Sequence, residues 1–122
     1  MPEKEHILVV EDEEHLATGI KYNLDAEGYR VTTVGDGPSA IEVLDEHAGQ
    51  IDLVILDLMM PGKSCKETLA GLLKIDPKVN VLLSSGYSVD GEAQSMLDMG
   101  ARDFLQKPFT RAELKKKIEA LF

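Results

Sequence analysis

Three acids, two hydroxyls and one lysine carry the chemical interest of this chain. Glu11 and Asp12 directly follow the apolar run 7–10. Asp57 follows the apolar run 53–56. Ser84 and Ser85, then Gly86, follow 81–83, and Lys107 with Pro108 follows 103–106. Carboxylates gathered in one place repel each other, and a hard divalent cation relieves that repulsion. Mg²⁺ takes oxygen ligands, usually one or two carboxylates with phosphate oxygens and water. A lysine adds a point charge for one phosphate oxygen, and a serine hydroxyl can donate to another. A carboxylate inside such a set can attack phosphorus and form an acyl phosphate. Phosphoryl transfer asks mostly for positioning and charge neutralisation, so few groups suffice.

These residues are far apart in the chain, so the elements between them must bring them together. Short runs rich in Val, Ile and Leu alternate with longer segments of helical spacing. The run 7–10 predicts a buried strand. Leu16, Ile20 and Leu24 mark one face of a first helix, which Gly28 can end. Segment 30–34 predicts a weaker second strand. Pro38 suits a first helical position, and Ile41, Leu44 and Ala48 continue a second helix. Segment 53–56 predicts a third, wholly apolar strand. Leu69, Leu72 and Leu73 give a third helix that must stop before Pro77. Segment 79–83 predicts a fourth strand, Ala93, Met96 and Leu97 a fourth helix closed by Gly100, and 103–106 a fifth strand. Thr110 with Glu113 is a capping-box signature for a last helix carrying Leu114, Ile118 and Leu121.

Five such βα units, several with strands apolar on both faces, predict an α/β fold: a parallel sheet with helices on both sides. Right-handed crossovers then carry every strand's C-terminal end to one edge. The residues named above are those that follow four of the strands, so they should converge there, where ligands of such sheets bind. Asp57 is the expected nucleophile, because the third strand should be central. Glu11 and Asp12 would hold the metal on one side of it, with Ser85 and Lys107 on the other.

Composition narrows the rest. The 122 residues suit one domain, spanning 1–122. Their net charge of −9 lacks the basic footprint that nucleic-acid backbones require, and would be repelled by anionic membranes. No apolar run approaches the roughly 20 residues of a membrane span. The start of the chain has no signal-peptide layout, and a single cysteine, Cys65, fits a reducing compartment. A cytoplasmic location is expected. His6, His15 and His47 show no metal-ligand spacing.

Each feature taken singly has a plainer reading. Acids after a strand often cap the next helix. A Lys-Pro pair is usually a surface turn. Ser84 suits a packed strand position, Tyr87 and Phe104 suit a core, and Met59 and Met60 suit loop packing. The run 115–117 suits a solvated helix face or a contact for an acidic partner. Convergence of all the pieces on one edge is what sets these readings aside.

At these residues the chain resembles the receiver domains of two-component response regulators. The matching pieces are LVVED at 8–12, LDLMMPG at 56–62, LLSSGY at 82–87, GAR at 100–102 and FLQKPF at 104–109, in order and over essentially the whole chain. The resemblance implies a three-layer, doubly wound (βα)5 fold of flavodoxin-like type, with strand order 2-1-3-4-5. It implies Asp57 as phospho-acceptor, with Mg²⁺ or Mn²⁺ held by Glu11, Asp12, Asp57 and the backbone carbonyl of Met59. Ser85 would be the switch hydroxyl, Lys107 the phosphate-binding lysine, Phe104 the switch aromatic, and the bond to Pro108 cis. The implied phosphodonor is a phosphohistidine on a sensor histidine kinase or a histidine phosphotransfer protein. Phosphorylation would reshape the surface of the fourth helix, fifth strand and fifth helix for an output partner. No turnover of an external substrate is expected.

Two positions depart from the family pattern. Glu11 stands where Asp is frequent, and its longer reach should still serve a metal. Cys65 stands where Gly is frequent and should stiffen the loop. Met59 and Tyr87, two residues beyond Asp57 and Ser85, are bulky and neither orients water. A slowly hydrolysing phosphoryl group is therefore expected. Three rival functions fit the pattern less well. A haloacid-dehalogenase-type phosphohydrolase wants an acid where Met59 stands. A flavin or nucleotide binder wants a glycine-rich loop where acids 11–14 stand. A receiver-like interaction module without chemistry would not need the site intact.

Overall fold

The computed structural model describes residues 5–47, 49–58, 65–86 and 91–122. The elements alternate as β1 (His6–Val10), α1 (Glu14–Ala26), β2 (Arg30–Val34), α2 (Gly37–Glu46), β3 (Leu53–Asp57), α3 (Cys65–Ile75), β4 (Asn80–Ser85), α4 (Gly91–Met99), β5 (Asp103–Gln106) and α5 (Arg111–Leu121). One five-stranded sheet results, ordered β2-β1-β3-β4-β5, with every neighbouring pair parallel. The α/β expectation and the strand order hold.

Burial follows from the alternation of side chains across a sheet. Leu8, Val10, Val54, Leu56, Val81 and Leu83 face α2, α3 and α4 and pack with Ala40, Leu44, Leu69, Leu72 and Met96. Ile7, Val9, Leu53, Ile55 and Leu82 face α1 and α5 and pack with Ile20, Leu24, Leu114 and Ile118. Central strands buried on both faces need apolar side chains through their middles, which is why β1, β3 and β4 each contain an unbroken apolar run. Edge strand β2 is half-covered and correspondingly mixed, with Thr32 and Thr33 among its valines.

The helix ends have identifiable stops. Gly28 takes a positive φ of 94° after α1. Its N–H bonds Asp25 O at 3.0 Å, and the Tyr29 N–H bonds Leu24 O at 3.2 Å, a Schellman closure that a Cβ would strain. Gly100 closes α4 in the same way, through Leu97 O and Met96 O. The capping box on α5 forms, with Glu113 N–H donating to Thr110 Oγ1 at 3.0 Å.

A few boundaries differ from expectation. Gly37, not Pro38, is the first residue of α2, because Asp36 caps that helix by accepting from Ser39 N–H at 2.7 Å. Ala48 lies outside the described residues. The strands β3 and β4 run one and two residues further than their apolar runs. The ladder continues through Asp57 and Ser84, paired across the two strands, and through Ser85, paired with Gln106.

Candidate phosphoryl-acceptor site

The parallel crossovers place the ends of β1, β3, β4 and β5 along one edge, and the polar residues that end those strands meet there. Glu11 sits one position past the Val10–Leu56 pair, held by its own N–H donating to Val34 O at 2.9 Å. Asp57 is the last residue of β3. Both are buried, at 5% and 2% exposure. Asp12 is exposed beside them. One carboxylate oxygen from each of Glu11, Asp12 and Asp57 lies within 4.8 Å of the others, and this is the one such acidic, His or Cys grouping among the described residues. The histidines form none, although His6 and His47 meet edge-on at 6.3 Å.

Lys107 answers this charge. Its backbone N–H donates to Ser85 O at 2.7 Å, which fixes the end of β5 against β4. The Lys107–Pro108 peptide is cis. The side chain crosses the end of β4 and brings Nζ to 2.7 Å from Glu11 Oε1 and 3.2 Å from Asp57 Oδ1. The side chains concerned are almost out of water, at 18% exposure for Lys107 and 3% for each acid. Burial acts against the ammonium, but the contacts with Glu11 and Asp57 outweigh it and hold the Lys107 pKa above its ordinary value. Lys107 is therefore a fixed positive charge.

Glu11 shows the strain of the arrangement. Burial, and then the neighbouring Asp57 carboxylate, push its pKa up to about 7, against the opposing pull of Lys107 and of the Glu13 N–H. That N–H donates to Glu11 Oε2 at 3.2 Å. The plain helix-capping role falls instead on Glu13, whose side chain accepts from His15 N–H. Crowded carboxylates, two of them buried and Glu11 pushed toward neutrality, fit a site that gains stability from a cation, and three carboxylates with no soft ligand fit Mg²⁺.

The two serines at the end of β4 diverge. Ser84 is the lateral neighbour of Asp57, and Ser85 follows it on the alternate face, two residues beyond Leu83. Phe104 pairs with Leu83 on β5 and packs, half-buried, with the α2–α4 cluster, so Ser85 and Phe104 share that face. Met59, with its carbonyl, and Tyr87 lie outside the described residues. Cys65 opens α3, and its buried thiol donates to Asp57 O at 3.4 Å. This contact has no signal in the sequence beyond the departure at that position.

The response regulator receiver domain model matches residues 7–119. This chain belongs to that family. It is a receiver domain of two-component signalling. The domain is 40% identical over 118 residues to the uncharacterized transcriptional regulatory protein YkoG of Bacillus subtilis, covering 97% of this chain and 51% of that protein. It thus spans about half the length of the curated relatives it matches. A response regulator receiver domain protein from Clostridium thermocellum superposes with a TM-score of 0.90 at 30% identity, covering 97% of this chain and 94% of that one. The receiver domain of sensor histidine kinase PA1611 from Pseudomonas aeruginosa, whose structure holds a magnesium ion in its active-site cleft, superposes at 0.85 with 28% identity, covering 96% of both. No helix among the described residues of this domain is long and apolar enough to cross a membrane.

Proposed function

We propose that Asp57 accepts a phosphoryl group from a phosphohistidine on a sensor histidine kinase or a histidine phosphotransfer protein, with Mg²⁺ assisting and Mn²⁺ able to replace it. One observation carries this reading: a lysine ammonium and two further carboxylates converge on a buried aspartate at a sheet edge. Glu11, Asp12 and Asp57 would hold the metal, together with the Met59 carbonyl. When bound, Mg²⁺ supplies charge neutralisation for the transferring group.

The domain's own residues do the remainder. An Asp57 carboxylate oxygen attacks phosphorus as the P–N bond to the donor imidazole breaks, and the imidazole keeps that bond's electron pair. Lys107 faces the oxygens of the transferring group and stabilises the charge on them. Beside Lys107 a mainly apolar cleft of about 440 Å³ opens, lined by Leu16, Gly86, Lys107, Pro108 and Phe109. It gives a donor side chain an apolar approach beside Lys107. Ser85 would then bond the new phosphoryl group, and Phe104, on the same face, would follow it inward. That coupled shift would select the conformer whose α4-β5-α5 surface engages an output domain or partner. This reading makes the domain a phosphoryl acceptor at work in the cytoplasm, with no external substrate turned over and no direct contact with nucleic acid or membrane.

Incubation of wild type with acetyl phosphate and Mg²⁺, followed by intact-protein mass spectrometry, should show one added phosphoryl group. Asp57→Asn should show none. Labelling that survives the substitution would remove Asp57 from the role.

A further inference from the structure

The hydroxyl of Ser84 is the one described buried side-chain polar atom without a hydrogen-bond partner. Its residue is 2% exposed. A buried hydroxyl left unpaired is costly, so its place in the fold matters. Val9, Ile55 and Leu82 stand side by side across β1, β3 and β4. Two residues further along, the same face presents Asp57, Ser84 and Leu105 in one row, with Glu11 level with them past the end of β1. Ser84 is thus the hydroxyl beside the phospho-acceptor on its own face. Lys107 must pass the end of β4 to reach from β5 to the two acids.

Two of the three Lys107 donors are engaged by Glu11 Oε1 and Asp57 Oδ1. Those carboxylates also belong to the acidic cluster. A cation and the ammonium therefore compete for the same two carboxylates. We propose that Ser84 is a positioning residue for Lys107: its Oγ accepts from the ammonium when a divalent cation draws the carboxylates away. The orphan hydroxyl is then satisfied in the loaded domain and keeps the amine aimed at Asp57. This inference rests on the site reading given above.

Ser84→Ala separates the two states. Metal-free stability in EDTA, measured by urea unfolding, should be unchanged or higher, because the lost hydroxyl has no partner there. Mg²⁺ affinity, measured by calorimetry, should fall by about tenfold, the worth of one hydrogen bond to a charged group. The Lys107 amine nitrogen resonance should shift on Mg²⁺ addition in wild type but less so in the variant. Ser84→Thr, which keeps the hydroxyl, should restore Mg²⁺ affinity. If Ser84→Ala binds Mg²⁺ as wild type does, the proposal fails while the site reading stands. If it loses metal-free stability with Mg²⁺ affinity intact, Ser84 is a packing residue and the proposal fails again. If wild type itself binds no Mg²⁺, the site reading fails and takes the proposal with it.

Discussion

Replacing Asp57 by Asn should make the metal-free domain more stable, although it removes the residue on which the proposed chemistry depends. In wild type, carboxylate oxygens of Glu11, Asp12 and Asp57 crowd within 4.8 Å of each other, and two of the acids are buried. Two unit charges at that separation repel by about 3 kcal/mol at an effective dielectric of roughly 20. The raised Glu11 pKa points the same way. Its rise from 4.5 to about 7 corresponds to about 3 kcal/mol, with burial the larger cause and Asp57 the next. The Asp57→Asn substitution removes the Asp57 share but also loses the ion pair with Lys107, which keeps Glu11 as its partner at 2.7 Å. A net gain of about 1–2 kcal/mol at pH 8 in EDTA is expected.

The pH dependence tests the cause. Glu11 binds its proton more tightly in the folded chain, so the folded state carries the extra proton between pH 4.5 and about 7. Wild-type stability in EDTA should accordingly fall as pH rises through that window, by up to about 3 kcal/mol. The advantage of Asp57→Asn should shrink as pH drops below 7, where Glu11 in wild type becomes neutral. With Mg²⁺ at about a hundred times its dissociation constant, wild type should gain about 3 kcal/mol by mass action. The variant, short of one ligand, should gain far less, so the order of stabilities should narrow or reverse. Urea unfolding at pH 6 and 8, in EDTA and in Mg²⁺, reads all four conditions. An Asp57→Asn variant less stable than wild type in EDTA at pH 8, or equal Mg²⁺ stabilisation of both proteins, would refute the account of a site strained by its own acids.

Lys107→Ala leaves two buried acids facing each other, and should destabilise the metal-free domain by about 3 kcal/mol at pH 8; urea unfolding should show most of that loss recovered in Mg²⁺. Its labelling by acetyl phosphate should also slow by about a hundredfold, measured by the rate of mass gain. A Cβ at Gly37 would collide with the buried Thr68 side chain where α2 meets α3. Gly37→Ala should cost about 1–3 kcal/mol in urea unfolding while leaving Mg²⁺ affinity unchanged. With Met59 and Tyr87 two positions beyond Asp57 and Ser85, the isolated phosphorylated domain should lose its label slowly, and a half-life of seconds by mass spectrometry would contradict this.

Most of the fold is legible in the sequence because central parallel strands must be apolar on both faces. The runs within β1, β3 and β4 can scarcely be anything else once helical spacing surrounds them. The helix ends are legible where a glycine must take a positive φ, at Gly28 and Gly100. What hides is polar structure that behaves as core. Asp57, Ser84 and Ser85 belong to strands and are buried, yet an apolar-run reading stops just short of them. Asp36 caps α2 through a side-chain contact that composition alone does not single out from neighbouring turn residues. The meeting of His6 with Thr32 at 2.8 Å and with His47 depends on strand pairing and helix return, neither of which leaves a local mark.

The site itself is legible as a list and not as an arrangement. Strand ends supply the right groups, but two adjacent serines do not say which hydroxyl shares a face with Asp57; a one-residue slip in register exchanges them. Pairing of Asp57 with Ser84 decides it. Ser84 is the neighbour of Asp57, and Ser85 stands on the side of Phe104. That division has a physical use. Three ionised carboxylates against one ammonium leave two negative charges, which one divalent cation neutralises. The face that carries Asp57, Ser84, Glu11 and Lys107 can thus manage charge. In the proposed mechanism the opposite face, with Ser85 and Phe104, would report occupancy to the helices packed on it. A single strand end, by alternating two serines, would then connect the proposed chemistry on one side of the sheet to the packing on the other.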